Sequence, residues 1–336
     1  MNRAKYYTKK EADVVQCHLC PAACVLEDSE VGDCRVRVNK EGELYTKAYG
    51  NPVAAHVDPI EKKPLFHFYP GTRAFSIGTA GCNLHCLNCQ NAEISQCSPD
   101  EIRNISLSPQ EVVDTTLDYK GHIIAYTYTE PTVFYEYMYD TSVLAHENGL
   151  KNVMITAGYI NPRPLRDLAP YMDAANIDLK SFDENTYRKI NKVELKPVLK
   201  ALKILKEEGV WLEITNLVIP GWTDNMDTIQ KMCDWLVKNG FEDAPLHFSR
   251  FHPTHKLLDA PPTPFKTLKQ AKQIALDAGI KHVFIGNVPG TEDEHTFCPE
   301  CGKKLINRHG FGASGVKITN GKCDYCTAKI PGVWGD

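Results

Sequence analysis

The sequence predicts an α/β protein built on a partial or complete (β/α) barrel, with small cysteine-rich lobes at both termini. Three observations predict it. From residue 73 to residue 285, β-rich runs alternate with helical patterns, which is the sign of βα units around a parallel sheet. The helical runs carry start and stop signals of their own. Finally, 11 of the 13 cysteines fall into three groups: Cys17, Cys20, Cys24 and Cys34; Cys82, Cys86 and Cys89; and Cys298, Cys301, Cys323 and Cys326. Such groups point to metal sites or reactive thiols before disulfides. Cys97 and Cys233 are left over as ordinary thiols.

The expected strands are residues 73–78, 122–127, 152–157, 174–179, 210–218, 245–250 and 281–285. Among the helices, Ser108-Pro109-Gln110-Glu111 combines an N-cap serine, a proline at the first helical position and a capping-box glutamate. Val198, Leu199, Leu202 and Leu205 share a helical face that ends at Gly209, and Leu268, Ala271, Ala275 and Ala278 share one that ends at Gly279. Both faces are expected to cover the sheet. A doubly wound sheet is the alternative, although no G-x-G-x-x-G turn follows the first strand. Breaks near Gly50-Asn51-Pro52 and Val288-Pro289-Gly290 divide the chain into a cysteine-rich segment 1–50, a barrel 51–290 and a zinc-ribbon-like lobe 291–336.

With 336 residues, 43% hydrophobic and 24% charged, the chain has material for a large core, which excludes disorder and collagen-like structure. No apolar run approaches the roughly 20 residues of a membrane span, and the start shows no apolar signal region. A soluble, cytoplasmic protein without a membrane partner is expected. Lys plus Arg number 38 against 42 acids, a formal charge of -4. There is no broad basic field for nucleic acid or acidic lipid.

Cys82-Asn83-Leu84-His85-Cys86-Leu87-Asn88-Cys89 places three thiols just past the first expected strand and Gly81. A cubane cluster needs four ligands, so three local cysteines leave one iron open to an exogenous ligand. Buried structural thiols, or zinc completed by His85, are the alternatives. This C-x3-C-x2-C loop resembles the signature of the radical S-adenosylmethionine (SAM) superfamily, which implies a barrel of radical SAM type. It also implies a 4Fe-4S cluster on Cys82, Cys86 and Cys89, with SAM chelating the fourth iron. One electron would then cleave SAM to methionine and a 5′-deoxyadenosyl radical that abstracts hydrogen from a substrate.

Other segments fit the resemblance. Tyr128-Thr129-Glu130-Pro131 is similar to the superfamily's G-G-E-P element, which implies that Glu130 accepts from the SAM amino group. Thr129 stands where that element has glycine. Glu130 alternatively serves as a first-turn acid of the helix that follows. Asp178-Leu179-Lys180 resembles the Asp-x-Lys of pyruvate formate-lyase activating enzymes, implying a SAM contact, against the alternative of a Lys180 pair with Asp183 or Glu184. Thr156 and Asn216 stand at strand ends and are candidates for the SAM cleft. His252, with Arg250, is a candidate for SAM or substrate at the close of the His247–Pro253 stretch. Glu61, Lys62 and Lys63 suit either a substrate contact or a solvated turn.

The two C-x2-C knuckles at Cys298/Cys301 and Cys323/Cys326 lie 21 residues apart. Four thiolates with no open position suit structural zinc that helps fold a lobe with little core. In the N-terminal set, Cys17, Cys20 and Cys24 are followed by Cys34 ten positions later. The ligand count favours zinc, and the compact beginning also suits an auxiliary iron-sulfur cluster.

From Cys17 to Trp334, the segment from His56 to Leu65, the triplet loop, residues 126–137, 247–253 and 286–290, and Ile330-Pro331-Gly332-Val333-Trp334 resemble the AmmeMemoRadiSam system radical SAM enzymes, relatives of the pyruvate formate-lyase activating enzymes. The implied partners are a low-potential electron donor and Memo-type and AMMECR-type proteins. The hydrogen-abstraction substrate is left unassigned. A glycyl-radical enzyme activase is the alternative, and a non-enzymatic iron-sulfur electron carrier the remote one, since it gives Glu130, Asp178 and the barrel no purpose.

Overall fold

A computed structural model describes residues 1–335. All seven expected strands are present within two residues of their expected bounds: β2 (Arg73–Gly78), β3 (Ile123–Tyr126), β4 (Lys151–Thr156), β5 (Ala174–Asp178), β6 (Trp211–Val218), β7 (Leu246–Arg250) and β8 (Val283–Gly286). An eighth strand, β1 (Ala54–Pro59), precedes them. The eight form one sheet in which the order follows the chain, from β1 at one edge to β8 at the other. The β2–β3, β3–β4, β6–β7 and β7–β8 pairs are parallel. A doubly wound sheet reverses strand order at a switch point. This unbroken order selects the barrel-type winding.

Helix starts and stops match their chemistry. Ser108 and Glu111 make the reciprocal capping box of helix Pro109–Asp118. Helix Leu195–Glu207 buries Val198, Leu202 and Leu205. Helix Phe265–Ala278 stops on Gly279 at φ 108°, a left-handed conformation that glycine adopts without a Cβ penalty.

The chain divides into two compact units. The first comprises Met1–Asp58, Arg73–Ala175 and Asn191–Val210. Its N-terminal residues form short antiparallel strands, among them Tyr7–Lys9, Val15–Cys17 and Val25–Leu26 in one sheet and Arg37–Lys40 beside Glu43–Thr46 in another. Arg37, buried, pairs with buried Glu136 at the start of helix Tyr135–Glu147. A buried charge persists only when paired. This ion pair therefore ties the N-terminal strands to the helix.

The second unit comprises Pro59–Thr72, Asn176–Ile190 and the chain from Trp211 onward. Glu213, wholly buried near the start of β6, organises it. Its carboxylate accepts from the Phe66 and His67 backbone N–H groups at 2.9 and 2.7 Å, from His247 Nε2 at 2.7 Å and from Trp211 Nε1 at 3.3 Å. Four donors compensate the desolvation of one carboxylate. His247 thus stands near the start of β7 as a partner of Glu213. Glu61 and Lys63 are also buried, which overturns the solvated turn. The Glu61 carboxylate accepts from the Gly71 N–H at 2.8 Å, closing the Pro59–Thr72 loop on itself.

Arg308, from strand Lys304–His309, reaches the same loop and donates to the Phe66 carbonyl at 2.6 Å. It also donates to Thr296 Oγ1 at 2.8 Å. Thr296 in turn meets His67 Nε2 at 3.3 Å, and His67 Nδ1 donates to the Pro331 carbonyl at 2.8 Å. Burial and the neighbouring His282 lower the His67 pKa, which favours the neutral ring in that chain of bonds. The His282 ring lies 4.4 Å from that of His67, and burial brings its pKa down to about 4.

The pH dependence follows from linkage. His282 is neutral in the fold below the pH at which an unfolded histidine protonates, so its share of stability is complete above about pH 6.5 and is lost as pH falls towards 4. Between pH 7 and pH 5, wild type is expected to lose about 2 kcal/mol more stability than a His282→Phe variant. Denaturant midpoints at the two pH values measure this, and equal losses in both proteins would refute it.

Candidate metal centre

The triplet occupies an irregular loop between β2 and the short helix Ala92–Ser95. Each sulfur meets a polar group. The Leu84 N–H donates to Cys82 Sγ at 3.4 Å, Asn191 Nδ2 donates to Cys86 Sγ at 3.2 Å, and Ser95 Oγ lies 3.2 Å from Cys89 Sγ. Hydrogen bonds to sulfur are among the means by which proteins hold and tune iron-sulfur clusters. Asn191 also accepts the His85 N–H through its carbonyl at 3.2 Å, so one residue clasps the loop twice. Sequence reasoning missed Asn191 and Ser95. Asn191 ends a π-helical turn, Tyr187–Asn191, that no periodicity marks.

His85 is not a metal ligand here. Its Nδ1 lies 2.9 Å from Gln96 Oε1 and its Nε2 2.9 Å from Asp33 Oδ2, so both ring nitrogens are engaged by side-chain oxygens. The hydrogen bond to Asp33 holds the imidazole pKa above its ordinary value. The alternative of zinc completed by His85 therefore falls.

Gly81 lets the loop approach the N-terminal strands. At φ 95° it sits where a Cβ would stand 2.4 Å from Val36 Cγ2 and 2.7 Å from the Cys34 carbonyl oxygen. Both the conformation and the space demand glycine.

Glu130 is buried after β3. One carboxylate oxygen accepts from Thr156 Oγ1 at 2.6 Å, Thr132 Oγ1 at 2.7 Å and the Thr132 N–H at 3.1 Å; the other accepts from the Ala157 N–H at 2.8 Å. Glu130 and Thr156 are thus brought together at the ends of neighbouring strands. The capping role exists as well, since the Thr132 bond caps the turn Pro131–Phe134. Thr129, in place of the family's glycine, causes no conflict. The left-handed residue is Tyr128, at φ 71°, and Thr129 Oγ1 donates to the Thr79 carbonyl at 2.9 Å. Burial first, and then the charge of Glu130, pushes the Cys82 thiol well up.

The second unit holds the other strand-end candidates. Lys180 Nζ pairs with Asp178 Oδ2 at 2.9 Å, whereas the expected alternatives were Asp183 and Glu184. Asp183 instead caps helix Glu184–Thr186. Asn216 donates to the Leu179 carbonyl at 2.7 Å, and its buried Oδ1 has no partner among the described residues. Arg250 Nε donates to the Thr263 carbonyl at 3.0 Å, while His252 is exposed beyond the end of β7.

The C-terminal knuckles converge. Cys298 and Cys326 sulfurs are 3.6 Å apart, those of Cys301 and Cys323 3.8 Å, and all four lie within 4.8 Å of one another. A tetrahedral ion with bonds of about 2.3 Å needs sulfur spacings of about 3.8 Å. The donor set fits one such ion. The lobe also has a small core around Leu305, Ile306, Ile318 and Ile330, more than the sequence suggested.

Comparison with known proteins adds the family. Residues 76–236 match the radical SAM superfamily. The chain is 47% identical over 332 residues to an uncharacterized protein of Methanocaldococcus jannaschii, covering 98% of this chain and 99% of that one. It is 23% identical over 176 residues to the pyruvate formate-lyase-activating enzyme of Clostridium pasteurianum, covering 51% and 71% of the two chains. A radical SAM methyltransferase from Sphaerobacter thermophilus shares the fold, with a TM-score of 0.50 at 14% identity over 70% of this chain and 71% of its own. With a three-cysteine loop after β2, a buried glutamate after β3 and this match spanning both, residues 76–236 of the chain form a radical SAM domain, the domain of a superfamily of enzymes.

Proposed function

We propose that this chain reductively cleaves SAM at a 4Fe-4S cluster held by Cys82, Cys86 and Cys89 and abstracts hydrogen from a substrate, as one member of an AmmeMemoRadiSam-type system. The observation that carries the reading is the triplet loop itself, with a polar partner at each sulfur and the Glu130 charge acting on Cys82. The cluster, when bound, supplies the electron that breaks SAM into methionine and a 5′-deoxyadenosyl radical. Glu130 holds a negative charge that suits the SAM ammonium, and Thr156 and Ala157 fix its carboxylate in place. Asn216 in the second unit keeps a buried Oδ1 acceptor with no partner among the described residues. Asp178 and Lys180 supply a polar pair beyond the end of β5, and His252 a titratable group beyond β7.

No helix among the described residues is long and apolar enough to cross a membrane. The partners proposed are a low-potential one-electron donor together with Memo-type and AMMECR-type proteins, on the strength of the motifs from His56 to Trp334. The partial match to a pyruvate formate-lyase-activating enzyme favours a second reading, in which a glycyl-radical enzyme is the substrate. In the C-terminal lobe, Cys298, Cys301, Cys323 and Cys326 hold zinc for structure, because four converging thiolates leave no position open for chemistry.

Anaerobic reconstitution followed by reduction with SAM present is expected to yield 5′-deoxyadenosine, and a Cys82→Ala, Cys86→Ala, Cys89→Ala variant none. Glu130→Gln should keep its iron while binding SAM about ten- to a hundredfold more weakly, the loss typical of a hydrogen bond to a charged group. Equilibrium dialysis under argon reads it, and an unchanged affinity would reduce Glu130 to the cap of the 131–134 turn.

For the lobe, elemental analysis should find zinc in wild type and in the triplet variant alike. Cys301→Ser should lower it by about one ion per chain and expose strand Lys304–His309 to protease. Retained zinc in Cys301→Ser would place the ion elsewhere.

A further inference from the structure

We infer that the lysine face of helix Leu195–Glu207 is the surface on which an acidic one-electron donor protein docks to reduce the cluster at Cys82, Cys86 and Cys89. The inference deepens the proposed function by giving its reductant a place to bind, and it rests on that reading for the centre that receives the electron.

Between Asn191 and Val210 the chain carries five lysines and three glutamates, although its formal charge overall is -4. The helix sorts these residues by face. Its apolar positions, among them Val198, Leu202 and Leu205, are buried. Lys192, Lys196, Lys200, Lys203 and Lys206 are all exposed. Lys196, Lys200 and Lys203 follow one another at intervals of four and three and so share one side of the helix. Lys196 and Lys200, one turn apart, repel each other, so that pair does not serve the helix itself. Two of the three glutamates are already engaged. Arg166, from helix Pro162–Leu168, pairs with Glu207 at 2.7 Å and with Glu208. Arg163 of the same helix is exposed and adds to the positive field.

The lysine run starts beside the triplet loop. Lys192 follows Asn191, whose side chain donates to Cys86 Sγ at 3.2 Å and whose carbonyl accepts the His85 N–H at 3.2 Å. Loop and helix belong to one compact unit. A partner in contact with Lys192 is therefore one residue from a side chain that touches a cysteine of the triplet.

The chemistry of the face selects the partner. Single-stranded nucleic acid is held by basic grooves that also offer rings for stacking, and no aromatic residue stands between Asn191 and Val210. A membrane-surface helix keeps its apolar side for lipid, whereas here that side is buried in the fold. An acidic protein surface answers both the sign and the polarity. In each encounter the donor loses one electron and the cluster gains it, and no bond forms between them. The oxidised donor must then leave, which calls for a small, short-lived interface of the kind usual in electron transfer. Lysine suits it, because its ammonium is a hydrated point charge on a flexible stem. Such charges raise the rate of encounter more than they raise affinity.

The test uses the full-length protein, reconstituted anaerobically, and a reduced acidic 2Fe-2S ferredoxin as donor. Stopped-flow absorbance follows ferredoxin oxidation on mixing. The wild-type rate constant is expected to fall steeply with added salt, and that of a Lys196→Gln, Lys200→Gln, Lys203→Gln variant to be about tenfold lower at low salt with a shallower salt dependence. An equal change of charge in the second unit, Lys231→Gln, Lys238→Gln, Lys266→Gln, should keep the rate within about twofold of wild type. Calorimetric titration with oxidised ferredoxin reads docking without electron transfer and should rank the three proteins in the same order. Equal rates in wild type and the helix variant, an equal loss in both variants, or a wild type that dithionite reduces and ferredoxin does not, would overturn the proposal. Dithionite, which needs no docking surface, should give 5′-deoxyadenosine equally from wild type and the helix variant; a helix variant deficient with dithionite as well would also overturn it. Ferredoxin rates that differ as expected, with no 5′-deoxyadenosine from wild type under either reductant, would support the docking face and defeat the SAM reading.

Discussion

The loop that carries Cys82, Cys86 and Cys89 has no strand or helix of its own from Thr79 to Asn91. Its backbone groups cannot satisfy one another through a ladder, so neighbours must hold it. Asn191 clasps it from one side, Asp33 bonds His85 from another, and Asn83 Nδ2 donates to the Tyr159 carbonyl at 2.8 Å beneath it. Much of the first unit is arranged to supply those partners. The N-terminal strands, which sequence composition presents only as a polar cysteine-rich segment, are among the walls of the triplet loop.

A second buried anion, Glu213, does for the start of the sheet in the second unit what those contacts do for the triplet. Two backbone N–H groups, a histidine and a tryptophan converge on it, and Arg308 ties the last strands to the same Pro59–Thr72 loop. The candidate site residues stand after strand ends, and these structural ones near strand starts. That division is the one expected of barrel enzymes, in which the C-terminal ends of strands carry reactivity and the opposite ends carry stability. It also explains why so many histidines and acids occur here without catalytic work. His67, His247, Glu61 and Glu213 are charges and dipoles that satisfy one another in a dry place.

The three cysteine groups are three different solutions for thiolates. The C-terminal set is drawn tight enough for one ion, the triplet lies in a loop where each sulfur meets a polar group, and the N-terminal thiols line a common pocket. Cys97 and Cys233 behave as packing groups. Cys97 donates to the Glu93 carbonyl at 3.2 Å, and Cys233 is buried in helix Met226–Lys238.

The sequence by itself determined the order and type of the elements, because hydrophobic period, capping box and stop glycines are local signals that each segment carries alone. It also determined the triplet and the glutamate after β3, because their spacing is short and a motif of that kind survives without neighbours. Tertiary structure decided what depends on distant partners. Asn191 clasps Cys86 from 105 residues away, and His247 meets Glu213 from 34 residues away. Arg308 reaches the Phe66 carbonyl from 242 residues away. Periodicity is a property of one segment, whereas the partner of a buried polar group is fixed only when two segments meet.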